Sequence, residues 1–252
     1  MNDKKEIIIS VEDMTAELEG NVILKDVNFK VFKGEIFVIM GRSGSGKSVL
    51  LKHMIGLYRP VRGRVLVNGV DIHAAGGKAL QQLRNQMGVL FQASGLLGSM
   101  TLGENMALPL KEYPQLSSEA RDNIIRMKLG MVNLAGFEEL LPAELSGGMK
   151  KRAGLARALV LDPQMLFFDE PSAGLDPVTS VEIDEMITKI NQGLGTTMVI
   201  VSHELQSILH IAHRVIMLDQ VDRGIIAEGS PRELKDGSRD RRVINFLNRQ
   251  SD

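Results

Sequence analysis

The sequence predicts an α/β fold, in which a helical subdomain interrupts a mostly parallel β-sheet. Apolar stretches rich in Val, Ile and Phe, such as Ile36–Met40 and Met165–Asp169, do not alternate with polar residues, which is typical of parallel strands buried on both faces. Segments with helical spacing separate several of these stretches. Between about residues 93 and 161 the helix signal continues and strand signal is scarce, which indicates an insertion.

The predicted strands are nine apolar segments bounded by Gly, Asp or Asn. In chain order they are Glu6–Ser10, Val27–Val31, Ile36–Met40, Val65–Val67, Met87–Phe91, Met165–Asp169, Met198–Ser202, Val215–Asp219 and Ile225–Glu228. We expect a single domain over residues 1–252, with a core of about 1–92 and 162–229, a helical subdomain of about 93–161 and a tail of 230–252.

Helices are predicted in both parts. Ser48–Leu57 and Pro177–Leu194 belong to the core, and Asp176 before Pro177 supplies an N-cap and a first-turn proline. In the helical subdomain, Thr101 and Glu104 have the spacing of a capping box. The residues at helical spacing are Ile183, Met186, Ile187, Ile190 and Leu194 in the core helix, and Ile124, Ile125, Lys128, Leu129 and Val132 in the subdomain.

Composition excludes several classes of protein. The chain has 252 residues, of which 44% are hydrophobic, so it can bury a sizeable core. Its 30 Lys and Arg balance 31 Asp and Glu, which argues against bulk electrostatic capture of nucleic acid. It has no cysteine, which excludes disulfides, thiolate metal sites and a Cys nucleophile. Aromatics are 4% with no Trp, so a base-stacking platform is not expected.

The start of the chain lacks the long apolar stretch of a secretory signal. The longest unbroken apolar run, Ile36–Met40, is far shorter than the roughly 18–20 residues of a membrane span. We therefore expect a soluble, cytoplasmic protein that meets a membrane only through a partner.

The segment after Ile36–Met40 has the pattern of a phosphate-binding loop, G-x-x-x-x-G-K-S between a buried strand and a helix. Its glycines let backbone N–H groups turn inward at the positive end of a helix, so a chance glycine turn is a poor explanation. Lys47 would reach the β and γ phosphates, and the Ser48 hydroxyl would bind Mg²⁺. The expected ATP-binding residues are Gly41, Arg42, Ser43, Gly44, Ser45, Gly46, Lys47, Ser48 and Val49.

A second apolar strand, Met165–Asp169, ends in two acids. Asp169 would hold Mg²⁺ through water, and Glu170 would polarise the attacking water. Adjacent carboxylates can also be an exposed turn. The phosphate loop favours the catalytic interpretation, because ligands sit at the carboxyl edge of such a sheet.

Two further features lie at element ends. Ser146 caps a helix that opens with two glycines, and this helix N-terminus forms a second anion site. Because the chain already has a phosphate loop for its own nucleotide, the second site makes sense if it closes on the ATP of another subunit. Gln92 and His203 each follow a core strand, and the imidazole could touch a γ-phosphate. A lone Gln or His is usually structural.

GRSGSGKS, Gln92, LSGGM, LFFDEP, SAGLD and His203 occur in the order of the ATP-binding-cassette (ABC) ATPases, which this sequence resembles over almost its whole length. The resemblance implies a P-loop NTPase with a RecA-like core and an N-terminal antiparallel β subdomain. It also implies a head-to-tail dimer that sandwiches two ATP molecules with Mg²⁺.

Residue roles follow from the same resemblance. Glu170, His203 and Gln92 are the expected catalytic residues, and Ser48, Gln92 and Asp169 the expected Mg²⁺ residues. Asp176 lies in the loop that crosses the dimer interface. The signature that faces the partner's ATP consists of Leu145, Ser146, Gly147, Gly148 and Met149.

Two positions depart from the family pattern. Met149 stands where the family commonly has Gln. The adenine-stacking aromatic expected near residues 16–21 is missing, and the nearest apolar candidates are Leu18 and Val22. A lost stacked ring would weaken base discrimination by about 1 kcal/mol, so we expect a loose preference for ATP over GTP.

Finer resemblance points to one branch. LFQASGLLGSMTLGENMALPL, ELSGGMKKRAGLARAL and SPRELKDGSRDRRVINFL are similar to the ATPases of Mla-type phospholipid transporters. That branch implies a permease dimer of the MlaE type, a periplasmic MCE-domain protein and sometimes a STAS-domain protein. It places the ATPase on the cytoplasmic face of the inner membrane, with no nucleic-acid partner. A coupling helix of the permease would contact the surface of residues 90–97, Met100 and Met106, although ordinary helix packing also explains that stripe.

Other interpretations remain open. A small-solute importer would have a similar ATPase. A soluble cassette protein acting on nucleic acid or the ribosome would favour tandem cassettes or a strong basic surface, and the dense basic run Lys150-Lys151-Arg152 is typical of a solvated helix face. A P-loop GTPase or kinase would leave the LSGGM motif without a role, and no N-K-x-D motif is present. The tail from Ser230 is either solvated or a docking segment ending in Val243–Leu247.

Overall fold

Ten strands form two sheets within residues 5–249, the part of the chain that the structure, a computed structural model, describes. The first sheet is antiparallel, with the order β2-β1-β4-β5. Its strands are β1 (Ile7–Leu18), β2 (Asn21–Phe32), β4 (Arg62–Val67) and β5 (Val70–Asp71).

The second sheet has six strands in the order β10-β9-β3-β8-β7-β6. All of its pairs are parallel except β9 with β10. Its strands are β3 (Ile36–Met40), β6 (Met87–Leu90), β7 (Met165–Asp169), β8 (Thr197–Val201), β9 (Arg214–Asp219) and β10 (Gly224–Gly229).

The helices divide between the core and the insertion. In the core they are α1 (Lys47–Met54), α2 (Gly77–Asn85), α6 (Pro177–Leu194), α7 (Leu205–Ile211), α8 (Pro231–Gly237) and α9 (Arg241–Leu247). Between β6 and β7 lie α3 (Leu102–Leu110), α4 (Ser118–Met131), a 3₁₀ turn (Pro142–Glu144) and α5 (Gly147–Ala158). The expected α/β fold with an antiparallel sheet and a helical insertion is therefore confirmed.

The central strands are buried on both faces. In β3, Ile36, Val38 and Met40 pack into the cluster that also holds the insertion and α6, while Phe37 and Ile39 pack into the cluster under the antiparallel sheet and α1. Two layers thus cover the parallel sheet, which explains why its strands are apolar without alternation.

Element boundaries agree best where a cap or motif marks them. Strands β3 and β7 and helix α6 match the prediction, and Asp176 caps α6 through bonds from the backbone N–H groups of Val178 (3.1 Å) and Thr179 (3.0 Å). The Thr101–Glu104 capping box is also present. The α1 helix ends at Met54, three residues before the predicted Leu57, and α2 and β5 were not predicted.

The first strand is much longer than the predicted Glu6–Ser10. A bulge at Asp13, whose φ is 47°, shifts the register and turns Met14 and Ala16 into the core. The polar residues around the bulge interrupt the alternation of apolar and polar residues, so the pattern did not predict the rest of the strand.

The interpretation of the tail as a solvated segment is wrong for α9. Val243 and Leu247 lie one helical turn apart and are buried in the chain's own core. Arg242 pairs with Asp219, Asp222 and Asp240, which fixes α9 beside the β9–β10 turn. Within residues 5–249, no helix is both long and apolar enough to span a membrane.

Candidate functional site

The phosphate loop joins β3, which lies between β8 and β9 in the sheet, to α1. At two of its glycines there is no room for a side chain. A Cβ on Gly41 would lie 2.4 Å from the Leu218 carbonyl oxygen, and a Cβ on Gly46, whose φ is 93°, would lie 2.9 Å from a Leu24 methyl carbon. The loop therefore holds its backbone against two neighbouring strands.

The Lys47 side chain folds back over this loop. Its Nζ donates to the carbonyl oxygens of Gly41 (2.9 Å) and Arg42 (3.0 Å), and the residue is buried. Burial lowers the pKa of Lys47, while the charges of Glu170 and Asp169 favour its protonated form. The result is a buried cation at the mouth of an anion-binding loop.

Ser48 and Asp169 meet at the carboxyl ends of β3 and β7. The Ser48 hydroxyl donates to Asp169 Oδ1 at 2.8 Å. Hydroxyl and carboxylate oxygens suit Mg²⁺, which binds through one or two protein ligands together with substrate phosphates. No cluster of three or more His, Cys, Asp or Glu side chains suited to a metal is found in the described residues, so the donor set fits that mode and not an all-protein cage.

Glu170 and His203 follow the neighbouring strands β7 and β8. His203 Nδ1 lies 2.7 Å from Glu170 Oε1. Glu170 has a φ of 54°, a left-handed conformation that costs about 1–2 kcal/mol in a residue with a side chain. Its second oxygen, Oε2, is buried and has no hydrogen-bond partner among the described residues. This oxygen can accept a bond from a water molecule.

These side chains line one cleft of about 500 Å³. Its lining residues are Ile23, Ser43, Gly44, Gly46, Lys47, Ser48, Val49, Gln92, Glu170 and His203. Of the remaining loop residues, Gly41 and Arg42 contribute carbonyls to Lys47, and Ser45 is buried beneath the loop. Ile23 of β2 lines the cleft, whereas Leu18 and Val22 do not. No motif marks this position in the sequence.

The signature residues are not in the lining of this cleft. Ser146 caps α5 by accepting a bond from the Met149 N–H at 3.2 Å. The Asp176 loop lies beside it, since a Cβ on Gly147 would lie 3.5 Å from Leu175 and a Cβ on Gly148 only 2.5 Å from Thr179.

The departure at Met149 has a structural reason. Its side chain is partly buried and packs against the hydrophobic cluster of the insertion. A thioether fills such a contact without leaving a polar group unpaired.

Sequence reasoning missed Lys151. The basic run was expected to be a solvated face, but α5 turns Lys151 inward, where only 6% of it is exposed. Its Nζ donates to the carbonyl oxygens of Gln92 (2.6 Å) and Glu170 (3.1 Å).

Part of the predicted permease surface is core. Leu90 and Met106 are buried in the insertion's hydrophobic cluster, so ordinary packing explains them. Leu97 is exposed and remains available for contact with a partner.

Comparison with known proteins identifies the family. The family model described as ABC transporter matches residues 24–173. The chain is 39% identical to the intermembrane phospholipid transport system ATP-binding protein MlaF of Haemophilus influenzae, over 97% of this chain and 92% of that protein. It is 43% identical to the probable ribonucleotide transport ATP-binding protein mkl of Mycobacterium leprae, over 96% of this chain and 69% of that protein.

Solved structures give the same answer. The post-hydrolysis dimer of the ATP-binding cassette MJ0796 bound to ADP and Pi is 30% identical, with a TM-score of 0.80, and covers 88% of this chain and 98% of that one. The cbiO1 subunit from Clostridium perfringens is 26% identical, with a TM-score of 0.82, and covers 97% of this chain and 95% of that one. The resemblance to the ABC ATPases is confirmed, and this chain belongs to the ABC transporter family as one of its ATP-binding, ATP-hydrolysing subunits.

Proposed function

We propose that this ATPase is the energy-coupling subunit of a multi-subunit transporter that moves phospholipid between the inner and outer membranes. The observation that carries the ATPase role is the cleft lined by Lys47, Ser48, Glu170 and His203 at one edge of the parallel sheet. Asp169 lies beside it, bonded to the Ser48 hydroxyl. The similarity to MlaF over nearly the whole chain supports the lipid branch.

In the proposed reaction, water attacks the γ-phosphate of ATP and gives ADP and phosphate. Lys47 and the loop N–H groups hold the phosphates. Glu170 polarises the water through its unpaired Oε2, and His203 holds the other carboxylate oxygen. Ser48, Asp169 and Gln92 would hold Mg²⁺, which supplies charge neutralisation at the phosphate oxygens when bound.

A second copy of the chain completes the site in this proposal. The first turn of α5, with Ser146, Gly147 and Gly148, has backbone N–H groups suited to phosphate but lies outside the cleft of its own chain. Head-to-tail pairing would bring it to the partner's γ-phosphate, with Asp176 in the interface. ATP binding would close the dimer, and hydrolysis would reopen it.

The membrane partners follow from the same branch. We propose an MlaE-like permease, an MlaD-like MCE protein and, in some systems, an MlaB-like STAS protein, with the ATPase on the cytoplasmic face of the inner membrane. Leu97, an exposed apolar side chain in the segment between β6 and α3, is a candidate permease contact. The balanced charge gives no support for a nucleic-acid partner.

A second candidate cargo is a ribonucleotide, because the mkl relatives are equally similar in sequence. Purification of the native complex followed by mass spectrometry and lipid analysis separates the two. A permease, an MCE protein and co-purified phospholipid support the proposal. A complex whose hydrolysis responds to ribonucleotides and that contains no phospholipid supports the other cargo, and ribosomal proteins would contradict both.

The catalytic assignment has its own test. Glu170→Gln keeps the shape of the side chain and removes the carboxylate, so ATP hydrolysis should fall by roughly 10²–10⁴-fold while ATP binding persists. Hydrolysis at the wild-type rate would refute the assignment.

A further inference from the structure

Lys151 connects three functional segments through one ammonium group. It lies on α5, two residues beyond Met149 of the signature, and its Nζ donates to the backbone oxygen of Gln92 at 2.6 Å and of Glu170 at 3.1 Å. Gln92 follows β6 and Glu170 follows β7, so the contacts join α5 to the carboxyl ends of two adjacent strands of the core sheet.

This placement is costly without a role. A buried ammonium loses its hydration, and burial lowers the pKa of Lys151. Its hydrogen-bond partners are neutral carbonyls, and the nearby charges of Asp169 and Glu170 favour the protonated form. Lys47 is buried among loop carbonyls under the influence of the same two carboxylates, so two buried lysines from different parts of the fold act on one acidic pair.

The position of the Glu170 carbonyl determines the orientation of the Glu170 peptide and side chain. Glu170 has the left-handed backbone described above, fixed by a bond from its N–H to the Val201 oxygen (3.0 Å) and by the bonds that its own oxygen accepts from Ala173 N–H (3.2 Å) and Lys151. A rotation of this peptide would move the carboxylate that His203 and the cleft share. The only side chain in this set that comes from the insertion is Lys151.

We propose that Lys151 is a positioning residue that couples the signature helix to the carboxylate of Glu170 and to Gln92. When α5 moves with the insertion, the Lys151 ammonium transmits that movement to the Gln92 and Glu170 segments. The rate of hydrolysis therefore depends on the position of the signature helix. The inference rests on the proposed base role of Glu170, and it concerns hydrolysis and not the choice of cargo.

The test compares ATP hydrolysis and ATP binding in the purified complex. Lys151→Met keeps the length of the side chain and removes the charge and the donors. We expect kcat to fall about 10–100-fold, since small misplacement of a catalytic group has such effects, with ATP affinity within about threefold of wild type. Lys151→Arg keeps a buried cation with donors and should restore most of the rate. Lys150→Met, at the half-buried neighbouring position, is the matched control and should hydrolyse ATP normally.

A double variant shows whether Lys151 acts through Glu170. In a Glu170→Gln background, Lys151→Met should change the residual rate by less than about twofold. A wild-type kcat in Lys151→Met would overturn the proposal, as would an equal fall of the rate in the Glu170→Gln background. If Lys151→Met does not fold, Lys151→Gln replaces it, and a wild-type kcat in that variant is equally decisive. A Glu170→Gln chain that hydrolyses normally would refute the base assignment instead.

Discussion

The phosphate loop and the signature, the two elements that we propose to bind phosphate, differ in how complete they are. At the phosphate loop, the side chains already contact their partners: Lys47 bonds two loop carbonyls, Ser48 bonds Asp169, and Glu170 bonds His203. At the signature, Ser146 bonds only the first turn of its own helix among the contacts described. One element is built within the chain, and the other leaves Ser146 and Gly147 exposed.

The difference follows from where each element lies. Parallel strands that are buried on both faces deliver their following residues to one edge, which brings the phosphate loop, Asp169, Glu170 and His203 together. The signature stands on the inserted helix α5, which contacts the segments after β6 and β7 through the Lys151 ammonium.

The largest expected effect breaks the complete element. Lys47→Ala removes the buried cation, so ATP affinity should fall by at least about 10²-fold and hydrolysis should be lost. Equilibrium binding of ATP measures this. Lys52→Ala is the control, because Lys52 is on the same helix as Lys47 but lies over the Tyr58 ring and is not in the cleft lining. The Lys52→Ala variant should bind ATP normally.

The next effect breaks only the signature. Ser146→Arg places a bulky cation where a partner's phosphate would sit, so turnover should fall about 10²-fold while ATP affinity stays within about threefold of wild type. Ser118→Arg, at the start of another helix of the insertion, is the matched control. Equal loss of binding in Ser146→Arg would mean that the signature belongs to the chain's own site.

Acid should lower the free energy of unfolding, because two histidines near α1 resist protonation in the folded chain. Burial lowers the pKa of His53 on α1 and of His73 below the usual value of 6.5. The unfolded chain therefore takes up protons first, and stability falls as the pH drops below about 6.5 towards the folded-state pKa values. The melting temperature should be lower at about pH 5.5 than at about pH 7.5.

A variant identifies the group responsible. His53→Phe keeps a ring against Tyr58 and should reduce the acid dependence of the melting temperature. An unchanged pH profile in His53→Phe would assign the loss of stability to other groups.

The smallest effect concerns the base. The cleft has Ile23 and no aromatic residue in its described lining, so we expect ATP to be preferred over GTP by less than about tenfold in hydrolysis assays. Ile23→Tyr should raise that preference by a few-fold if the base lies at this side. A purine selectivity above about a hundredfold in the natural chain would contradict this expectation.

Sequence reasoning succeeded where one local signal determined the structure. The apolar strands β3 and β7, the Asp176 cap and the phosphate-loop motif each specify their own conformation. Sequence reasoning failed where the structure of an element depends on a distant segment of the same chain that packs against it. The bulge at Asp13 hid most of β1, α9 was judged without the core that buries Val243, and Lys151 was grouped with its exposed neighbours because only the orientation of α5 turns it inward.

The proposed dependence of one chain on another is tested most directly by the mass of the ATP-bound protein. We expect the Glu170→Gln chain with ATP to run at about twice its monomer mass in size-exclusion chromatography with light scattering, because hydrolysis no longer reopens the dimer. Adding Ser146→Arg should leave ATP bound and return the mass to that of the monomer. A Glu170→Gln, Ser146→Arg chain that dimerises equally well, or efficient turnover by a wild-type chain shown to be monomeric, would contradict the account.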